Sequence, residues 1–158
     1  MKTYLEYDGL EVLAHRGGAE ESLENTLESF EYSQSIGCNY IETDVQVSSD
    51  GVPYIFHDND LKRILNNPRR FDSYSSQEID KLRIFKNHKI PKLSDALNDF
   101  PYLSFQIDFK SDDVVMPSLE VIKNTGSKDR VCVASFNSKR LSRVRSNFPD
   151  LCISMGPN

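Results

Sequence analysis

The chain predicts an α/β fold built on a parallel sheet. Three observations carry this. Short apolar runs alternate with helix-like segments along the sequence. Two of the runs, 40–47 and 102–109, alternate apolar and polar residues with period two. Polar, chemically capable side chains gather where the runs end, which is where parallel α/β folds place their chemistry.

The elements follow in order. Val12, Leu13 and Ala14 form a short strand that ends in His15, Arg16, Gly17 and Gly18. Residues 25–36 read as a helix, with Leu27 and Phe30 three apart. Asn25 is placed to cap it, with Glu28 three residues on, and Gly37 to stop it. Residues 40–47 and 52–56 read as strands joined through Ser48, Ser49, Asp50 and Gly51, a hairpin turn. Residues 58–92 are polar, basic at Arg69 and Arg70, and irregular; one or two helical turns at 76–85 are expected from Ile79, Leu82 and Phe85. This stretch reads as an insertion after the second strand, inside one domain spanning 1–158. Such long irregular segments are commonly functional or disordered. Regularity then returns. A helix capped by Ser94 runs to Asp99, and strands at 102–109, 131–134 and 151–155 alternate with helices at 114–123 and 138–147. No linker divides the chain, and no repeat appears beyond this alternation.

Composition narrows the function classes. The 158 residues are 38% hydrophobic and 27% charged, an ordinary globular balance. A net charge of −5 gives no electrostatic case for a nucleic-acid partner. No run is long and apolar enough for a membrane span. The first fifteen residues lack the apolar core of a signal peptide, so a cytoplasmic location is expected. Cys38, Cys132 and Cys152 are odd in number, widely spaced and without a CxxC pair; they read as reduced thiols acting as small apolar side chains.

The candidate site comes from strand ends. Glu42 and Asp44 are two apart, so one strand face carries both carboxylates, while Ile41, Thr43, Val45 and Val47 face the other way. Paired acids need a cation, a shared proton or solvent, and a hard divalent metal with oxygen ligands is one resolution. A solvated rim is the other. Gln106, Asp108 and Lys110 repeat the device, with Phe105, Ile107 and Phe109 opposite. Asp108 offers a third oxygen ligand, and Lys110 offers either a point charge for phosphate or an internal ion pair with Asp108. His15 and His57 each follow a short apolar strand, and Asp58 adjoins His57. An imidazole there suits proton transfer. His88 lies in the irregular stretch and reads as a surface residue.

The ordered set of His15-Arg16-Gly17, Glu24-Asn25-Thr26, Glu42-Thr43-Asp44, Asp50-Gly51 with Pro53 and His57-Asp58, and Asp108-Phe109-Lys110 resembles the glycerophosphodiester phosphodiesterase family. The resemblance covers the chain from His15 to about Met155. It implies a TIM-type (β/α)8 barrel and metal-dependent hydrolysis of glycerophosphodiesters to glycerol 3-phosphate and an alcohol. It implies His15 and His57 as acid–base groups, Arg16 and Lys110 as phosphate-binding groups, and Glu42, Asp44 and Asp108 as ligands of Ca2+ or Mg2+. It makes residues 58–92 the insertion that shapes the glycerol pocket, and the partner a small molecule. Lys62, Arg63, Arg69 and Arg70 give that insertion a basic character suited to a soluble anionic substrate.

Two departures stand out. Asp108 occupies a position where the family usually has glutamate, and Gln106 one where asparagine is common. The chain also carries about five of the eight βα units, since a whole barrel takes about 250 residues. It has no tryptophan, so the family's later tryptophan-containing strand motif is missing. An open barrel edge invites pairing with another chain, by homo-oligomerisation or strand exchange. Two further functions stay open: a lysophospholipid-directed phosphodiesterase using the same site, and a catalytically impaired metal- or phosphate-binding or assembly module.

Overall fold

The computed structural model describes residues 3–7, 9–20 and 23–156. Met1, Lys2, Pro157 and Asn158, at the limits of the expected 1–158 domain, lie outside them. Five strands run parallel: β1 (Leu13–Ala14), β2 (Tyr40–Val47), β6 (Ser104–Phe109), β7 (Val131–Ser135) and β8 (Cys152–Met155), in the spatial order β1-β2-β6-β7-β8. Strand β3 (Pro53–Ile55) pairs antiparallel with β2, so the expected hairpin is present. Helices α1 (Leu27–Ser35), α4 (Leu93–Asp99), α5 (Val115–Asn124) and α6 (Ser138–Asn147) supply the crossovers that parallel strands require.

Register explains how two faces with opposite chemistry arise. Ile41, Val45, Phe105, Ile107, Phe109, Val131 and Val133 are buried against Phe30, Leu97, Leu119, Ile122 and Val144 of the helices. The opposite face carries one cross-strand row of Glu42, Gln106, Cys132 and Cys152, and a second of Asp44, Asp108, Ala134 and Ser154. Period two on every strand therefore puts apolar side chains under the helices and polar ones on the inner face. All three cysteines are free thiols, Cys132 buried and the other two partly so, and the Sγ atoms of Cys132 and Cys152 lie 2.9 Å apart. Burial, then the neighbouring Cys152, pushes the Cys132 thiol up. Arg130, buried beneath α4, donates to the carbonyls of Leu97, Phe100 and Leu103 and so satisfies a helix C-terminus.

Several local expectations are corrected. Asn25 is not the cap of α1. Thr26 is, in a capping box with Ser29, while Asn25 sits in the left-handed region at φ 55°. Helix α4 begins at Leu93 after Lys92, without a side-chain cap, so Ser94 lies inside it. Of the one or two helical turns expected at 76–85, one forms, α3 (Ser76–Ile79), capped by Ser75 and Glu78. Phe85 and Lys86 take positive φ, and Ile84 pairs with His88 as an antiparallel bridge. Val12 and Leu13 of the expected first strand are 64% and 41% exposed, because among the described residues β1 is the edge of the sheet.

The stretch after β3 is more ordered than its composition suggested. Strands β4 (Asp60–Leu61) and β5 (Asn67–Arg70) form a small antiparallel sheet around α2 (Lys62–Leu65). Tyr54, Phe56, Leu61, Phe71, Tyr74, Ile79, Ile84 and Ile90 make a second apolar cluster beneath it. Phe56 and Phe71 stack at 4.9 Å. His88 is not a free surface residue: its Nδ1 lies 3.0 Å from Glu28 of α1, and its side chain is mostly covered.

Candidate active site

The site is built at the carboxyl ends of β1, β2 and β6. After β1 the chain turns through a short 3-10 segment, His15–Gly17, with Arg16 at φ 50° and Gly17 at φ 77°. A Cβ on Gly17 would run into Ser29 Oγ and the Phe30 ring of α1, so only glycine lets the turn lie this close to the helix. The turn brings the Arg16 backbone N–H to donate to Glu42 Oε2 at 3.0 Å. His15 Nε2 lies 3.9 Å from the same oxygen, and its side chain is 71% exposed.

Asp44 is the centre of the arrangement. Its side chain is buried, and Lys110 Nζ is 2.8 Å from Oδ1. Asn25 Nδ2 donates to Oδ2 at 2.9 Å, and Arg16 Nε stands 3.6 Å from Oδ2. Asn25 is held in turn by the Thr43 hydroxyl, which donates to its Oδ1 at 2.8 Å. Lys110 Nζ also reaches Asp108 Oδ2 at 2.6 Å, so one ammonium bridges the acids of adjacent strands. Arg16 Nε is buried and donates to nothing.

Charge follows from this packing. Burial, then the Asp44 carboxylate, raises the Glu42 carboxyl above its ordinary range. Burial works against the Lys110 ammonium, but its bonds to Asp108 and Asp44 outweigh that and raise it. Three carboxylates thus face two cationic side chains, Lys110 and Arg16, and the cluster keeps an excess of negative charge.

His57 follows β3. Its Nδ1 lies 2.6 Å from Asp58 Oδ1, and Asp58 Oδ2 accepts from Arg63 Nε at 2.7 Å. Gln46, buried on the same face of β2 as Asp44, directs Nε2 at the carbonyls of His57 and Asp58, at 3.2 and 3.1 Å, and holds the turn to the sheet. Burial alone would raise Asp58, but Arg63 and His57 hold its carboxyl below the usual range. Glu24 is held low in the same way by Arg63 and Arg16.

The structure thus joins Arg16, Glu42, Asp44, Asp108 and Lys110 through direct contacts, and sets His15 at their edge and His57 outside them, in contact with Asp58. The three expected metal ligands do not form an open cage. Lys110 stands between Asp44 and Asp108, and among the described residues no group of three carboxylate, imidazole or thiol side chains is arranged to hold a metal ion. The donor chemistry nevertheless fits a hard cation: three oxygen ligands, an excess of negative charge, and a Glu42 carboxyl disfavoured in its charged form.

Sequence reasoning placed Glu24 near the site without a role, and missed the contacts of Asn25, Gln46 and Arg63. Gln46 was accessible, since it continues the period-two face of Glu42 and Asp44. Asn25 was not, because an asparagine just before a helix reads first as a cap.

A parallel β/α sheet with acids, an arginine and a lysine meeting at its strand ends defines an incomplete TIM-type barrel with its polar site on the expected rim. The profile of the Glycerophosphoryl diester phosphodiesterase family matches residues 15–155, and the chain belongs to that family. It is 31% identical to a glycerophosphodiester phosphodiesterase of Caldanaerobacter subterraneus subsp. tengcongensis over 159 aligned positions, covering 91% of this chain and 65% of that protein. It superposes on an Oleispira antarctica phosphodiesterase in complex with the product sn-glycerol-3-phosphate with a TM-score of 0.85 and 26% identity, covering 92% of this chain and 65% of that one. A glycerophosphodiester phosphodiesterase of Thermotoga maritima gives a TM-score of 0.80 at 26% identity, covering 97% and 64%. The chain therefore spans a little under two thirds of the length of these relatives. Among the described residues no helix is long and apolar enough to cross a membrane.

Proposed function

We propose that this protein hydrolyses glycerophosphodiesters to glycerol 3-phosphate and an alcohol, with a divalent cation and histidine acid–base groups. The observation that carries this is the meeting of Glu42, Asp44 and Asp108 with Arg16 and Lys110 at the ends of adjacent parallel strands. The family relation and the product held by the Oleispira relative support the substrate class.

In this reading Arg16 turns its unpaired Nε and its fork to a phosphate oxygen. Lys110 adds a point charge when it leaves one of its two acids. Glu42, Asp44 and Asp108 would hold Ca2+ or Mg2+, which when bound supplies Lewis-acid polarisation of a phosphate oxygen. His57, with Nδ1 toward Asp58, keeps Nε2 for a proton, and His15 serves as the opposite acid or base. The three free thiols suit a reducing, cytoplasmic setting.

The test is glycerophosphocholine hydrolysis by the full chain, with and without added Ca2+ or Mg2+, beside a solution mass measurement. Release of glycerol 3-phosphate that depends on the cation is expected. A folded protein with no turnover would instead favour a binding or assembly module, the reading that the Lys110 bridge between Asp44 and Asp108 supports.

A further inference from the structure

Between His57 and Arg16 runs a chain of charged groups, and the proposed chemistry leaves Arg63 and Glu24 of it without a role. Asp58 spends both oxygens: Oδ1 on His57 Nδ1 at 2.6 Å and Oδ2 on Arg63 Nε at 2.7 Å. Arg63 spends its remaining nitrogens on Glu24, Nη1 to Oε2 at 3.1 Å and Nη2 to Oε1 at 2.5 Å. Glu24 Oε2 also accepts from Arg16 Nη1 at 3.2 Å. The path is His57–Asp58–Arg63–Glu24–Arg16. Its central member comes from α2, in the segment after β3, and reaches a residue 39 positions earlier in the chain.

An exposed ion pair of one lysine and one acid contributes little, because water and salt screen it. Arg63 is 47% exposed, but its bonding is different in kind. A planar guanidinium that meets one carboxylate through Nε and another through both Nη atoms fixes the planes of both acids. Fixing the Asp58 plane fixes the imidazole, since the partner of one ring nitrogen decides which nitrogen carries the proton. With Nδ1–H given to Asp58, Nε2 is left as the free acceptor.

We propose that Arg63 is a positioning residue: it clamps Asp58 against Glu24, holds neutral His57 in its Nδ1–H tautomer, and ties that ring to Arg16 through the segment after β3. This rests on the reading of His57 as an acid–base group. A lysine could not replace it, because a point charge lacks the fork.

The test reads the tautomer directly, by nitrogen NMR of 15N-histidine-labelled full-length protein at a pH where the ring is neutral. The three histidines are assigned with His→Gln variants. In the wild type His57 Nδ1 is expected to carry the proton and Nε2 to be bare. In Arg63→Met, and more weakly in Glu24→Gln, the two nitrogen signals should move toward each other as the tautomers mix. A His57 already mixed in the wild type, or one unchanged in both variants, overturns the proposal; Glu24→Gln alone decides if Arg63→Met fails to fold. Where the chain turns over, Arg63→Met should lower kcat by about 10–100-fold with KM held, the usual cost of losing an outer partner. A raised KM with kcat intact would make Arg63 a substrate ligand and also overturn it. Absence of turnover in the wild type would remove the catalytic reading while the tautomer measurement still decides the positioning.

Discussion

The segment that carries His15 and the segment that carries His57 are held by different means. Around His15 the backbone does the holding. Arg16 and Gly17 sit in the left-handed region, Gly17 lies against α1, and its carbonyl accepts from Ser33 Oγ at 3.0 Å. The imidazole itself is 71% exposed, and its Nε2 lies 3.9 Å from Glu42 Oε2. Around His57 the side chains do it, through Asp58, Gln46 and Arg63. Backbone holding is rigid but leaves the ring free to swing. Side-chain holding fixes the ring but depends on charge. The two ends should therefore fail under different perturbations.

The largest effect is expected from Gly17→Ala. The added methyl meets the Phe30 ring at 2.6 Å, at a φ of 77° that alanine avoids. Overpacking and backbone strain together should cost about 3 kcal/mol, read as a lower urea midpoint. A change below about 0.5 kcal/mol would show that the turn does not rest on α1. In an active form, His57→Ala should cut turnover by about 100-fold or more, the scale of a general acid or base. His15→Ala should do the same if the exposed ring engages when substrate binds, and near-normal turnover would remove it from the chemistry. Asn25→Ala strips a donor from buried Asp44 and an acceptor from Thr43, so a loss of about 1–3 kcal/mol is expected in denaturant melts.

The smallest effect is a change in the pH dependence of stability from the His57 side. The Asp58 and Glu24 carboxyls are lowered in the fold by Arg63, so their contribution is present above the ordinary carboxylate range near pH 4 and is lost as pH falls below it. Melting temperature should fall more steeply with acid in the wild type than in Arg63→Met. Parallel acid profiles would show that the fork adds no stability of its own.

How much of this was legible in the sequence depends on distance along the chain. Glu42, Asp44, Asp108 and Lys110 sit on strands whose side chains alternate, so spacing alone put the acids on one face. The parallel order of the five main strands followed from the same alternation with helices. Asn25 was taken for a cap because its neighbour Thr26 performs that role with the same local grammar. The bonds among Glu24, Arg63 and Asp58 link residues up to 39 positions apart, and no period encodes them. The helical turn within 76–85 was legible from three apolar residues at helical spacing, but its end was not, because that spacing also suits a turn folded over its own cluster. Ile79, Leu82 and Phe85 all pack there, but the chain leaves the helix after Ile79.

Helix α1 carries a consequence for anyone who would re-engineer this scaffold. Its inward side is made of Ser29, Phe30 and Ser33, two of them small enough to admit a passing main chain. Its outward side, Glu28, Glu31, Tyr32 and Ser35, is open to water. Outward positions can be rewritten to change charge or attach a label, with Glu28 spared for His88. The inward ones act as a mould for the rim, and a bulkier residue at Ser29 or Ser33 would reshape the turn bearing Arg16.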